Sequence, residues 1–260
     1  MDPAGRHVVV TGGAGGIGRA LARAFATAGA RAVTIADRDG PGAAAAAREI
    51  GALALTADVT REQDVLQLIA DAEGRAGPID VFVSNAGAVG ANGGAEIETA
   101  VFDDSWRLHV LAHVWAARAL VPGMRARGSG YLVVTASGAG LLANVRSLPY
   151  TVTKHAAVAL AEWLSIAHHH EGIRSSALCP LGVRTSMLAD PISASERASG
   201  STLEPEEVAA ATLDGMRAER CLILPHPEVA TYFARRGADH ERWLAGMRAL
   251  HAELDPSHDR

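Results

Sequence analysis

Short apolar runs rich in Val, Ile and Leu alternate along the chain with longer segments in which apolar positions recur every third or fourth residue. The runs His7–Thr11, Ala32–Ala36, Leu53–Ala57, Ile79–Ser84, Tyr131–Ala136, Arg174–Cys179 and Cys221–Leu224 predict strands. They are nearly continuous in apolarity rather than alternating, as expected of strands covered on both faces. The helical periods fall between them, for example Arg19–Ala28 closed by Gly29 and Glu62–Arg75 closed near Gly77-Pro78. The alanine run 43–47 falls where a crossover helix belongs, and alanine is the strongest helix former. Strand and helix in strict alternation predict an α/β chain with a doubly wound, parallel, seven-stranded sheet flanked by helices. No repeat or linker divides it, so residues 1–260 are read as a single domain.

Composition removes several function classes. The 260 residues carry a formal net charge of −5, with 48% hydrophobic and 20% charged residues. An acidic chain has no surplus of cations for a nucleic-acid backbone or an anionic membrane. Cys179 and Cys221 alone do not make a disulfide framework, which points to a cytoplasmic setting. The start Met1-Asp2-Pro3 has neither the basic flank nor the apolar length of a secretion signal, and no membrane span is expected.

Candidate chemistry begins at the first strand's end, Thr11-Gly12-Gly13-Ala14-Gly15-Gly16-Ile17-Gly18. Two spacings overlap: Gly13, Gly15 and Gly18 fit G-x-G-x-x-G, while Gly12, Gly16 and Gly18 fit T-G-x-x-x-G-x-G. Glycines there let the backbone turn tightly and approach a pyrophosphate, which the following helix amino terminus faces, as in a Rossmann-type fold. The second strand ends at Asp37, where a carboxylate accepts ribose hydroxyls and repels a 2′-phosphate, predicting NAD; the neighbouring Arg38 keeps NADP as the alternative. Tyr150 and Lys154 stand one helical turn apart on one face, so an ammonium is placed to lower a phenol's pKa. Ser137 follows the strand Tyr131–Ala136, at the sheet edge where it can bond a substrate oxygen.

Taken together, these residues resemble the classical short-chain dehydrogenase/reductase family over essentially Arg6 to Thr185. Asp58-Val59 is similar to its adenine-holding element, Asn85-Ala86-Gly87 to the segment supporting the sheet beside the cofactor, and Pro180 to Thr185 to the stretch that meets the nicotinamide through Val183 and Thr185. The resemblance implies that Tyr150 is the general acid or base, that Ser137 orients the carbonyl or hydroxyl, and that Lys154 holds the nicotinamide ribose and depresses the tyrosine pKa. Two positions depart from the family pattern. His109 stands where an asparagine usually serves a water relay, and Leu181 stands where glycine usually follows the proline.

His109 and His113 also have i, i+4 metal-ligand spacing, but no glutamate accompanies them and no metal is expected; His168-His169-His170 reads as a solvated helix end. Trp106, Trp115 and Trp163 lie on or near long helices, and the family commonly assembles through such helices, so a homotetramer or homodimer is expected, with plain core aromatics as the alternative. Residues 186–205 suggest a substrate lid. The tail 225–260, with Tyr232, Phe233, Trp243, Leu244 and Met247, fits amphipathic helices that either border the pocket or pack on another subunit. Pocket walls are expected from residues 88–96 and 138–149 and from the lid, including Leu141, Leu142, Val145, Leu148, Met187 and Leu188. The reading is thus an NAD-dependent oxidoreductase moving a hydride between the nicotinamide and an apolar secondary alcohol or ketone, alicyclic or steroid-like. An NADPH-linked reductase and a non-catalytic NAD-binding regulator are the alternatives.

Overall fold

The computed structural model describes residues 1–185 and 202–254. Its strands are β1 (His7–Thr11), β2 (Ala32–Asp37), β3 (Leu53–Thr56), β4 (Val81–Ser84), β5 (Gly130–Thr135), β6 (Ile173–Leu178) and β7 (Leu222–Ile223). All pair in parallel, in the order β3-β2-β1-β4-β5-β6-β7. The chain winds outward from β1 to β3, then crosses back to β4 and winds the other way. That reversal opens a crevice at the carboxyl ends of β1 and β4, the place where open α/β sheets bind ligands.

Strand boundaries fall within one or two residues of the sequence expectation, a scatter usual for element ends. The helices are α1 (Gly16–Thr27), α2 (Gly40–Ile50), α3 (Glu62–Ala76), α4 (Thr99–Trp106), α5 (Ala112–Arg127), α6 (Leu148–His168), α7 (Pro205–Arg217), α8 (Pro227–Ala238) and α9 (His240–Leu254). The alanine run lies in α2, which Asp39 caps by accepting from the Gly42 amide and which ends at the left-handed Gly51.

The period of two along the strands divides the core. Val8, Val10, Tyr131 and Val133 pack on one side with Leu21, Phe25, Val208 and Met216. Val9, Phe82 and Leu132 pack on the other with Leu68, Trp115, Leu120 and Met124. Trp115 is therefore a core aromatic, whereas Trp163 is 60% exposed.

The tail folds as α8 and α9 and docks on the segment between β5 and α6. The Arg236 guanidinium donates to the carbonyl oxygens of Leu141 and Leu142 and to the imidazole of His155, and it lies 4.6 Å from the Trp243 ring centre. His251 Nδ1 donates to the Val145 carbonyl at 2.9 Å. Of the expected lid, residues 186–201 lie outside the described residues; Leu203, just beyond, pairs with Val183.

The turn after β1 decides between the two glycine spacings. Gly12 and Gly16 have φ of +65° and +51°, which L side chains rarely adopt, and a Cβ on Gly18 would lie 2.1 Å from the Gly12 carbonyl oxygen. A Cβ on Gly15 would meet nothing. A Cβ on Gly13 would lie 2.7 Å from Ile35 Cγ2, so the two spacings are told apart at Gly15, the one glycine of the turn left free, and Gly12, Gly16 and Gly18 form the spacing in which every glycine is required. Gly18→Ala should destabilise the protein by about 1–3 kcal/mol through overpacking against backbone, whereas Gly15→Ala should leave the unfolding midpoint within about 0.5 kcal/mol of the parent. Chemical denaturation of both variants checks this, and equal losses would refute the assignment.

Candidate active site

A cavity of about 1210 Å³ runs along the carboxyl edge of the sheet. Every residue proposed for the cofactor lines it: Gly12, Gly16, Ile17, Gly18, Asp37, Arg38, Asp58, Val59, Asn85, Ala86, Gly87, Tyr150, Lys154, Pro180, Val183 and Thr185. Ser137 lines it as well. Thr11 and Asn85 fasten its floor. The Thr11 hydroxyl oxygen accepts from the Asn85 and Ala86 amides at 2.9 and 3.1 Å, and Asn85 Nδ2 donates to the Thr11 carbonyl at 3.0 Å. Thr135 Oγ1 donates to Asn85 Oδ1, which adds β5 to the knot.

At one end, α1 opens with no side-chain cap and no acidic residue in its first turn. Its leading amide donors are free to serve an anion. Asp37 ends β2 and accepts from the Ala14 and Asp39 amides at 3.1 and 3.0 Å, which holds its carboxylate at the cavity wall beside Arg38. Asp58 accepts from the amide and hydroxyl of Thr60, shaping the next turn along the same wall.

At the centre, Ser147 caps α6 by accepting from the Tyr150 amide, and Pro149 preorganises the first turn. Tyr150 therefore sits in that turn with Lys154 one turn further in. The Lys154 ammonium is buried, donates to the Thr135 carbonyl at 3.0 Å and lies 5.5 Å from the Tyr150 ring centre. Burial pushes it down to about 8. Ser137 lies beside the Tyr150 phenol in the cavity, accepts from the Ala139 amide at 3.1 Å and donates to the Pro180 carbonyl at 3.4 Å.

In the protein alone the Tyr150 phenol is raised rather than lowered, because burial dominates and the Ser137 hydroxyl beside it only opposes the shift. Lys154 does not reverse this, since its own charge is desolvated and committed to Thr135.

His109 lies at the centre of a π-helical turn, Arg107–Leu111, between α4 and α5. Such turns redirect side chains and are frequent at functional sites. Its ring meets Tyr150 edge-on, with centres 5.6 Å apart. Thr153 Oγ1 donates its only proton to the Pro149 carbonyl at 2.7 Å, so it accepts from His109 Nδ1 at 3.1 Å. The Ala88 amide donates to Nε2 at 3.3 Å. These partners define the neutral Nδ1–H tautomer. Burial, with Lys154 and His113 nearby, pushes His109 down to about 2. His113 bonds Ser84 and is pushed by burial to about 3. Among the described residues no group of three His, Cys, Asp or Glu side chains is placed to hold a metal.

Leu181 is accommodated because its side chain rests on Gly138, where a Cβ would lie 2.5 Å from Cδ2. Its amide donates to His226 Nδ1 at 3.1 Å, and His226 Nε2 donates to the Gly182 carbonyl at 3.2 Å. A buried imidazole thus clamps the loop after β6, a contact with no local signal in the sequence. Of the expected wall residues, Leu142 and Val145 line the cavity. Leu141 does not, since it packs in the core under α6, and Leu148 starts α6 and is 39% exposed. Met187 and Leu188 lie outside the described residues. From the tail, Tyr232, Trp243 and Met247 line the cavity, whereas Phe233 and Leu244 do not. Arg235 and Arg242 also reach it and were not foreseen.

Buried neutral histidines make stability depend on pH. A pKa depressed from the ordinary 6.5 means that the unfolded chain binds more protons below that value. The contribution is therefore present above pH 6.5 and lost as pH falls toward the folded-state value. His109→Asn should show a shallower fall of Tm between pH 7 and 5 than the parent. Parallel slopes would show that His109 is not held neutral in the fold.

The family model for the short chain dehydrogenases matches residues 6–195. The 1-deoxy-11-beta-hydroxypentalenate dehydrogenase of Streptomyces avermitilis is 34% identical over 96% of this chain and 95% of its own. The structure of a short-chain dehydrogenase/reductase from Burkholderia phymatum in complex with NAD superposes with a TM-score of 0.82 at 26% identity, over 93% of this chain and 96% of that one. The 3-ketoacyl-(acyl-carrier-protein) reductase of Brucella melitensis complexed with NADH does so with a TM-score of 0.78 at 30% identity, over 85% and 95%. With the Ser137, Tyr150 and Lys154 constellation in place at the sheet's switch point, the chain belongs to the short-chain dehydrogenase/reductase family and is an oxidoreductase of the CH–OH class.

Proposed function

We propose that the protein oxidises a secondary alcohol with NAD, or runs the reverse reduction, using Tyr150 as the proton donor or acceptor. The observation that carries the reading is the juxtaposition of the Tyr150 phenol, the Ser137 hydroxyl and the Lys154 ammonium in one cavity with the uncapped start of α1. The residues present fit the dinucleotide: free amides for the pyrophosphate, a turn kept open by Gly12 and Gly16, and Asp37 for the ribose hydroxyls. Gly16, Ile17 and Gly18 would hold the pyrophosphate end, Asp58 and Val59 the adenine, and Asn85 to Gly87 with Val183 and Thr185 the nicotinamide end. When bound, NAD supplies the hydride acceptor, and its oxidised ring adds a positive charge.

Ser137 orients the substrate oxygen by hydrogen bonding, and it keeps the Tyr150 hydroxyl aimed at the same point. In the oxidation direction Tyr150 takes the hydroxyl proton as the hydride leaves carbon; in reduction it returns that proton to the carbonyl oxygen. Lys154, held by the Thr135 carbonyl, keeps a cation one turn from the phenol and would hold the nicotinamide ribose. His109 acts as a positioning residue: both its nitrogens are spent on Thr153 and Ala88, so it props the Tyr150 ring rather than carrying protons. The apolar lining from Leu142, Val145, Trp243 and Met247 suits an alicyclic alcohol or ketone. This agrees with the hydroxypentalenate named for the Streptomyces relative.

Arg38 beside Asp37 favours a second reading, an NADPH-linked reductase, because a guanidinium there can meet a 2′-phosphate. The unpaired thiols of Cys179 and Cys221 suit a reducing compartment such as the cytoplasm, which cell fractionation would check, and no described helix is long and apolar enough to cross a membrane. We assign a homotetramer on the apolar stripe of α6, where Trp163 and Ile166 are 60% and 80% exposed. Sedimentation velocity should show the tetramer and its loss in Ile166→Glu; a monomeric parent overturns this.

The central test combines binding and turnover. NADH should bind more tightly than NADPH in fluorescence titrations, and Tyr150→Phe should lower kcat by at least about 100-fold, the range of a lost general acid or base, while the NADH Kd stays unchanged. Loss of NADH binding in Tyr150→Phe, or turnover that survives it, would remove Tyr150 from the proton step. Preference for NADPH in the parent would favour the second reading.

A further inference from the structure

We infer that the outer end of the cavity recognises a carboxylate through Arg235 and Arg242, so that the substrate is an apolar hydroxy or keto acid. The inference rests on the dehydrogenase reading only for what happens to the bound acid, not for its capture. It begins with the charges that line the cavity. Asp37, Arg38 and Asp58 belong to the adenosine end and Lys154 to the centre, while the tail contributes Arg235, Asp239 and Arg242. Asp239 Oδ1 is already occupied, accepting from the Arg242 amide at 3.0 Å to start α9.

The two guanidinium groups differ from their neighbours. Arg236, between them in position, is consumed in docking the tail on Leu141, Leu142, His155 and Trp243. Surface arginines such as Arg19, Arg23 and Arg184 pair with glutamates. Arg235 and Arg242 have no ion pair and no side-chain hydrogen bond among the described residues, yet both face the cavity. Arg236 and His251 dock the helices that carry them, which places both exposed guanidinium groups at the solvent-facing rim of the cavity.

The chemistry of this rim selects its ligand. The rim holds two arginines against one carboxylate, Asp239, whose Oδ1 is turned to the Arg242 amide, so among the described residues the mouth keeps a net positive charge that a neutral alcohol does not use. A carboxylate accepts from both, because guanidinium presents planar paired donors. The apolar surface of Leu142, Val145, Trp243 and Met247 lies on the same cavity wall system as Ser137 and Tyr150. A ligand that spans it presents an oxygenated carbon to Tyr150 and an anion to the rim. Phosphate groups of a coenzyme A thioester would offer a related anion, and the test separates the two.

The experiment is calorimetric titration of the full chain, with and without saturating NADH, using cholate against methyl cholate and decanoate against decanol. Each carboxylate should bind about tenfold or more tighter than its neutral partner, the worth of a partly solvated charge-assisted pair. Arg235→Gln/Arg242→Gln should erase that difference while leaving the neutral ligands and NADH unaffected. Arg248→Gln, on α9 but outside the cavity, should change nothing. Equal binding of acid and neutral analogue, or a preference that survives the double variant, overturns the inference. Decanoyl coenzyme A binding tighter than decanoate, with the gain lost in the double variant, also overturns it by moving the anion to phosphate. Because binding is read directly, failed turnover with intact, arginine-dependent acid binding would count against the dehydrogenase reading and leave this one standing.

Discussion

The knot of Thr11, Asn85 and Thr135 is the constraint on which the site depends. A doubly wound sheet splits where its winding reverses, and the strands on either side of the split must be kept at one height for a shared ligand. Here the Thr11 hydroxyl takes two amides from the end of β4, and the Asn85 side chain reaches back to the Thr11 carbonyl and forward to Thr135 on β5. Thr135 in turn supplies the carbonyl that fixes Lys154. One continuous hydrogen-bonded path therefore runs from the glycine turn to the Lys154 ammonium. Loss of any member leaves a buried polar group unpaired, which costs more than the bond itself contributes.

Around that frame, burial shifts the titrating groups packed nearest Lys154 and Tyr150. His109 and His113 are held neutral, which spares Lys154 two further positive neighbours in a space with little water. Lys154 is depressed by the same burial yet stays within reach of a neutral-pH charge, being moved only to about 8. Tyr150 is raised in the protein alone, so the positive ring of an oxidised dinucleotide is the missing contribution to a usable base. The site is completed by what it binds.

The fold was legible because its evidence is local. Continuous apolar strands, alanine-rich crossover helices and glycine stops each carry their own period, and the cofactor residues cluster at strand ends where topology alone brings them together. The sequence offers two overlapping glycine spacings, and the cofactor residues Gly12, Gly16 and Gly18 belong to the one whose glycines are all demanded by φ or by what a Cβ would strike. The roles of His109 and His226 were hidden. Each is defined by partners far along the chain, Thr153 and Ala88 for one, Leu181 and Gly182 for the other. The upward push of burial on the unliganded phenol was not legible, because charge proximity is visible in an i, i+4 spacing whereas desolvation is not.

The tail shows the same limit with more consequence. An amphipathic helix shows which face is apolar without naming the surface that covers it, so Tyr232, Trp243 and Met247 fitted a pocket wall and a subunit contact equally well. What decides is Arg236, whose bonds to two carbonyls between β5 and α6 turn the apolar face of α8 and α9 toward the cavity. Once that orientation is fixed, the neighbouring positions are fixed as well, and Arg235 and Arg242 are carried to the rim. The knot that holds Ser137, Tyr150 and Lys154 lies within the βαβ core, whereas this part of the cavity wall comes from helices outside it, so the wall can change without disturbing the knot.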